Sequence, residues 1–299
     1  MKKYLFAAIS VLVIAASFSS CKPDEEIYNP KCRISKIWYK SEVGDPAETF
    51  VYAKNGKTLN QIVCANGESY DFSYNKDKSV SQIVHKGSDY TEEIKLESTN
   101  RLVDRMSYFI DGVLRMEMIV THDDDTRRIT TIEETYDREF FEAYLKSRPH
   151  PLYDRFVGNY DEVLRIVEEN PTRDLVFHSR KTFTYDPGKK KEYNNISTYV
   201  EEFPSAQTVV THTITYDPES FNPFYGLPFV YADYAGYYVN NKLSEHIETV
   251  VAGNMSRVEN IVYSYDGVNY MNNKNYPRQF VTTSDRNNVP EHTYILYKK

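Results

Sequence analysis

The sequence predicts a mainly β fold: an antiparallel meander of hairpins with a helical insertion packed on one face. Three observations carry that expectation. First, an apolar residue is followed three positions later by another at Ile34 and Ile37, Leu59 and Ile62, Val80 and Ile83, Val103 and Met106, and Ile129 and Ile132, the second members recurring every 21–26 residues. A repeat of this kind is one supersecondary unit that buries its apolar face only against its neighbours. Second, turn signals separate the units, among them Asn55-Gly56, Asn66-Gly67 and Asp111-Gly112. Such pairs accept the positive φ angles of tight hairpin turns. Third, the apolar spacing changes from strand-like to helical at Asp137.

The elements follow in order. Met1-Lys2-Lys3 leads into an apolar run, Tyr4 to Ala16, of secretory length. A transmembrane helix needs about 20 apolar residues, more than this run supplies. Ser19 and Ser20 precede Cys21, and the charged stretch Lys22-Pro23-Asp24-Glu25-Glu26 follows it. Residues 1–20 are expected to be a signal peptide, 21–31 a tether and 32–299 a single β-rich domain. Within that domain, Tyr70-Asp71-Phe72-Ser73-Tyr74 alternates with the period of a half-buried strand. A spacing of three places two apolar residues on opposite faces of a regular strand. Either both faces are covered, or one residue of each pair belongs to a turn or a bulge.

Asp137 is placed to cap a helix carrying Phe140, Phe141, Tyr144 and Leu145, and Asn159 a second carrying Val163, Leu164, Ile166 and Val167. These amphipathic pieces, about 137–170, are expected to lie across the sheet and complete its core; a separate partner-binding module is the alternative. Further on, residues 221–238 hold eight aromatics in 18 positions. Tyrosine combines a flat apolar ring with a polar tip, which suits wet binding surfaces. Tyr225, Tyr231, Tyr234, Tyr237 and Tyr238 are therefore candidate ligand-binding residues for a glycan or an envelope protein. Packing of the same rings into the core is the alternative.

Composition limits the chemistry. The chain has 36 basic and 43 acidic residues, a net charge of −7. Nucleic-acid binding rests on lysine and arginine neutralising phosphates, so a nucleic-acid partner is not expected. No two glycines are closer than the ten residues between Gly226 and Gly236, which excludes the dinucleotide fingerprint, the P-loop and the Gly-x-Ser-x-Gly elbow. The seven histidines form no His-x-x-x-His pair, and the cysteines form no Cys-x-x-Cys pair. His122-Asp123-Asp124-Asp125 is the best metal candidate and reads better as a solvated hairpin turn. No catalytic residue, metal or cofactor is expected. Cys32 and Cys64 remain after Cys21; an exported compartment permits a disulfide between them, with two separate thiols as the alternative.

Four resemblances rest on these residues. The run ending Ser19-Ser20-Cys21 resembles a bacterial lipoprotein signal, which implies lipidation of Cys21. The lysine-plus-acidic stretch after it resembles the surface-export label of Bacteroidetes lipoproteins. This implies attachment to the outer membrane through the lipid, at the cell surface or alternatively on the periplasmic face. The strand ends Phe183-Thr184-Tyr185-Asp186, Ile214-Thr215-Tyr216-Asp217 and Tyr263-Ser264-Tyr265-Asp266 resemble YD repeats of the RHS type, over 32–136 and more loosely 181–299. With Asn222-Pro223-Phe224-Tyr225-Gly226 and Tyr276-Pro277, the whole chain resembles a class of Bacteroidetes outer-membrane lipoproteins built on such repeats. The resemblance implies scaffolding and no activity. The expected function is lipid-anchored, non-enzymatic binding or scaffolding. A carboxylate-dependent glycan hydrolase and a purely structural surface spacer are the alternatives.

Overall fold

The computed structural model describes residues 32–87, 90–136, 177–186, 195–204, 207–227, 238–265, 272, 275–285 and 289–298. Sixteen strands run through them: β1 (Ile34–Tyr39), β2 (Glu48–Tyr52), β3 (Leu59–Cys64), β4 (Ser69–Tyr74), β5 (Val80–Lys86), β6 (Thr91–Thr99), β7 (Leu102–Ile110), β8 (Val113–His122), β9 (Ile129–Tyr136), β10 (Phe177–Tyr185), β11 (Ile196–Phe203), β12 (Thr208–Phe221), β13 (Asn240–Val251), β14 (Asn254–Ser264), β15 (Gln279–Ser284) and β16 (Glu291–Tyr297). Each strand pairs antiparallel with the next, and β1 pairs with β16, so the sheet closes into a barrel. Ile37 faces Ile295 across that seam.

Closure corrects the expected fold class. An open meander of hairpins needs a helical layer to cover its apolar face. A closed sheet encloses that face and has no edge left to protect. No α-helix occurs among the described residues. The insertion expected at 137–170 lies outside them.

The spacing of three has a single explanation. At Ile34, Leu59, Val80, Val103 and Ile129 the pairing register shifts by one residue directly after the apolar residue. Two residues there oppose one on the partner strand, which is a β-bulge. The extra residues are Ser35, Asn60, Ser81, Asp104 and Thr130. Each bulge returns the second apolar residue to the face of the first, and all ten members of the five pairs are buried. The same shift follows Ile196 in β11, where Tyr199 is the buried second member. It also follows Lys242 in β13, where the second member is Glu245. All seven bulges open odd-numbered strands, at one end of the barrel. Repeated bulges sharpen the local twist, which favours closure of the sheet.

The aromatic residues that end the preceding even-numbered strands lock this end. The Tyr52 hydroxyl donates to the Ile34 carbonyl (2.7 Å), Tyr74 to Leu59 (2.5 Å) and Tyr216 to Ile196 (2.7 Å). Each ring also sits opposite the residue just before the bulge of the following odd strand (Leu59, Val80 and Lys242), so it ties three strands together. Asp111 and Gly112, with φ of 47° and 80°, make a two-residue hairpin turn, as the Asp-Gly pair predicts.

The wall is polarised. In β6, Glu92, Ile94 and Leu96 are buried on the inner face, while Thr91, Lys95 and Glu97 alternate with them in solvent. Outward charges also form ion pairs across strands, Arg105–Glu117 at 3.4 Å and Arg180–Glu133 at 3.9 Å. Inside, Ile34, Ile37, Ile83, Met118 and Ile132 are 0% exposed. A sixteen-strand barrel of circular section would leave an aqueous channel; at these positions the interior is packed and dry.

Candidate functional site

Among the described residues, buried ionisable side chains enter this interior in three groups. Lys181 of β10 is buried between Glu134 and Glu201, 2.8 Å from the latter, and the Ser179 hydroxyl donates to Glu134 at 3.1 Å. His85 lies flat against Tyr70 (4.2 Å between ring centres, 6° between planes), with Nδ1 2.7 Å from Glu92 and Nε2 3.2 Å from Glu68. The third group has the same parts and borders a cavity. His212 stacks on Tyr199 (4.0 Å, 11°), and its Nδ1 lies 2.8 Å from Glu245 Oε1. The other oxygen of Glu245 accepts from Lys242 Nζ at 2.8 Å and from the Tyr263 hydroxyl at 3.4 Å. On a regular strand Lys242 and Glu245 would point to opposite faces; the bulge at Leu243 brings both inside.

Lys242 opens onto a cavity of about 220 Å³ near the bulged end of the barrel. Its apolar surface comes from Pro223 and six aromatic rings: Tyr39, Phe224, Tyr238, Tyr263, Tyr265 and Phe280. Lys242 Nζ lies 4.7 Å from the centre of the Tyr238 ring and 5.7 Å from that of Tyr263, in cation–π contact with both. Asn222, Asn240, Asn241 and Thr293 supply the polar part.

Buried asparagines fix the rim. Asn222 donates to the Tyr238 carbonyl (2.9 Å) and accepts from the Phe224 backbone (2.9 Å), turning the chain behind β12. Asn195 donates to Asn240 (2.9 Å), and Asn240 donates to the Ser220 carbonyl (2.8 Å). Buried backbone groups that lack a sheet partner need such substitutes.

Of the tyrosines singled out in the sequence, Tyr238 is buried on the cavity wall and Tyr225 is half-buried in the turn after β12. Tyr231, Tyr234 and Tyr237 lie outside the described residues, as does Cys21. Sequence reasoning missed Lys242, Glu245 and His212, which are far apart in the chain or spaced by three. It quoted Tyr263 and Tyr265 only as a scaffold motif, yet both line the cavity. His122 to Asp125 do form a turn, in which Asp123 accepts from the Thr126 backbone and hydroxyl, each at 2.7 Å. Cys32 is a buried free thiol and Cys64 a half-buried one. Burial, then Glu48 and Glu68, push the Cys64 thiol up to about 12.

Fold and site together define a closed antiparallel barrel with a packed interior and one aromatic-walled cavity among its described features. Its architecture is that of a porin-like protein from Bacteroides vulgatus, with 10% identity over 90% of this chain and 99% of that one at a TM-score of 0.50. A porin-like protein from Bacteroides uniformis aligns over 90% of this chain and all of its own (10% identity, TM-score 0.45). The Photorhabdus luminescens Tc holotoxin pore aligns over 86% of this chain and 12% of its own (13% identity, TM-score 0.35). No family model and no curated protein matches the sequence. The closed-barrel likeness corrects the YD/RHS-repeat resemblance: the strands that carry these tyrosines belong to one closed barrel, in which Tyr52, Tyr74 and Tyr216 lock bulges, and not to an RHS-type scaffold.

Proposed function

We propose that the chain is a ligand-binding barrel of the bacterial cell envelope, held at the outer membrane by a lipid on Cys21 and standing in water. The polarity of the wall carries this reading. A transmembrane barrel turns an apolar band about 25 Å tall to the lipid and keeps its polar groups inside. Here Lys95, Arg105, Glu117, Glu133 and Arg180 point outward at mid-strand positions, and most of the aliphatic residues point inward. A basic residue facing lipid at the bilayer midplane costs about 2–4 kcal/mol. The exposed apolar residues of the wall, such as Ile119 and Val262, are scattered among these charges.

The likeness to a porin-like protein supports an envelope address. The apolar run before Cys21 supports lipid anchoring, and the charged residues 22–26 support display at the cell surface. The aromatic cavity supports binding rather than a mere spacer. Its described lining includes no carboxylate, so the paired acids of a glycan hydrolase are not found there.

Detergent-phase partitioning tests the proposal. The chain made with its own signal is expected to incorporate labelled palmitate at Cys21 and enter the detergent phase. A chain begun at Lys22 is expected to remain in the aqueous phase. A chain begun at Lys22 that still enters the detergent phase would overturn the reading.

A further inference from the structure

We infer that the aromatic cavity binds a single uncharged sugar ring, a pyranose at the end of or branching from a glycan. The inference rests on the reading of the cavity as a binding site and names what the site takes.

The lining is the first argument. Elsewhere isoleucine, valine, leucine and methionine make up most of the buried apolar side chains, with phenylalanines and tyrosines among them, whereas none of those four aliphatic types lines the cavity. Apart from Pro223, its apolar lining is aromatic. Flat faces offer little to a branched or flexible acyl chain and much to another flat object. One side of a pyranose is a nearly flat array of C–H groups, and its edge is a belt of hydroxyls. A cavity with stacked rings and a few polar tips matches both.

Charge is the second argument. Lys242 is the one ionised group of the described lining, and its charge is already answered by Glu245 at 2.8 Å. An anionic ligand would have to compete with a buried carboxylate that also holds His212 at 2.8 Å. A neutral ligand leaves that network intact.

Size and hydrogen bonding are the third. About 220 Å³ is smaller than the roughly 300–1,000 Å³ typical of pockets for drug-sized molecules, so it holds one ring and not a chain of them. Asn222 and Asn240 spend their amides on backbone groups and so hold the cavity's shape. Asn241 uses its amide nitrogen on the Phe221 carbonyl (3.0 Å), which leaves its oxygen to accept from a sugar hydroxyl. Thr293, from β16, adds a hydroxyl to the lining. The site is organised before any ligand arrives, which lowers the cost of binding.

Saturation-transfer NMR on the full-length protein in detergent micelles tests this, with methyl glucoside, methyl galactoside, methyl mannoside and N-acetylglucosamine as neutral probes. Glucuronate is the charged probe and hexanoate the aliphatic one. Tyr265 is half-buried and its ring lies tilted on Phe280, with ring centres 5.9 Å apart; a far-UV circular dichroism spectrum and melting temperature matching wild type show that its replacement spares the barrel. At least one neutral sugar is expected to bind through its ring protons. Its affinity is expected to fall about tenfold or more in Tyr265→Ala and to stay within about threefold of wild type in Tyr265→Phe. Binding of glucuronate or hexanoate without any neutral sugar would overturn the ligand class and leave the cavity a binding site. Absence of binding by every probe would overturn both. Sugar binding unchanged by Tyr265→Ala would also overturn the assignment, by placing the sugar elsewhere.

Discussion

Glu245 shows how one residue carries both stability and site. Burial alone would push its carboxyl up, but Lys242 and His212 outweigh burial and hold it well below the usual carboxylate range. A carboxyl whose pKa is lower in the folded state contributes stability above its unfolded value of about 4.3. That contribution is lost as the pH falls toward the folded value. Glu245→Gln is therefore expected to cost about 3–5 kcal/mol at pH 7, because it leaves Lys242 buried without its counter-ion. It is also expected to flatten the acid limb of a plot of urea stability against pH. A variant as stable as wild type at pH 7, with an unchanged acid limb, would contradict this. None of this was legible in the sequence. A lysine and a glutamate three apart on a strand read as opposite faces, and His212 is brought to them only by the pairing of β12 with β13.

At the scale of the element, the unit of construction is the bulge with its tyrosine lock. The five apolar pairs were visible in the sequence, and a bulge was one of two readings of their spacing. Choosing between them required the register, which depends on the partner strand. Two variants measure the device. Tyr74→Phe removes only the hydroxyl that holds the Leu59 carbonyl, and is expected to lower stability by about 1 kcal/mol, the usual net worth of such a bond. Deleting Ser81 removes the extra residue of β5 and turns Val80, now 3% exposed, to the outside. The loss expected from that side chain is about 1.5–3 kcal/mol in chemical denaturation. Little or no loss in the deletion would mean that the register does not depend on the bulge. The asparagine rim illustrates the opposite case. The Asn222 motif was noticed as a pattern, but the rim it belongs to also depends on Asn195, Asn240 and Tyr238, which the chain brings from two other segments.

At the scale of the molecule, strands and hairpin turns were legible because alternation and Asn-Gly or Asp-Gly pairs act locally. Closure was not, because the contact that makes it, β1 against β16, joins the two ends of the barrel sequence. The polarity of the wall was legible in alternating stretches, but it gains meaning only once the inner and outer faces are known. The chain enters the barrel at the bulged end, where Cys32 Sγ accepts from Asn272 and the Arg33 carbonyl from Lys298. The aromatic cavity lies near that same end. The tether of residues 21–31 reaches at most about 3.3–3.6 Å per residue, so a lipid on Cys21 would keep the point where the chain enters the barrel within roughly 40 Å of the bilayer. Such a placement suits a receptor for glycans of the same surface.

The central claim is that the outer wall of the barrel meets water and not lipid. It is tested most directly by placing cysteines at mid-strand, as Lys95→Cys, Glu117→Cys and Arg180→Cys, in the protein anchored in its own membranes, and labelling them with a membrane-impermeant charged maleimide. All three are expected to react as fast as in a lipid-free chain begun at Lys22. Protection of all three in the membrane, with labelling confined to cysteines placed in turns such as Gly56 and Gly112, would show a wall embedded in lipid and contradict the account.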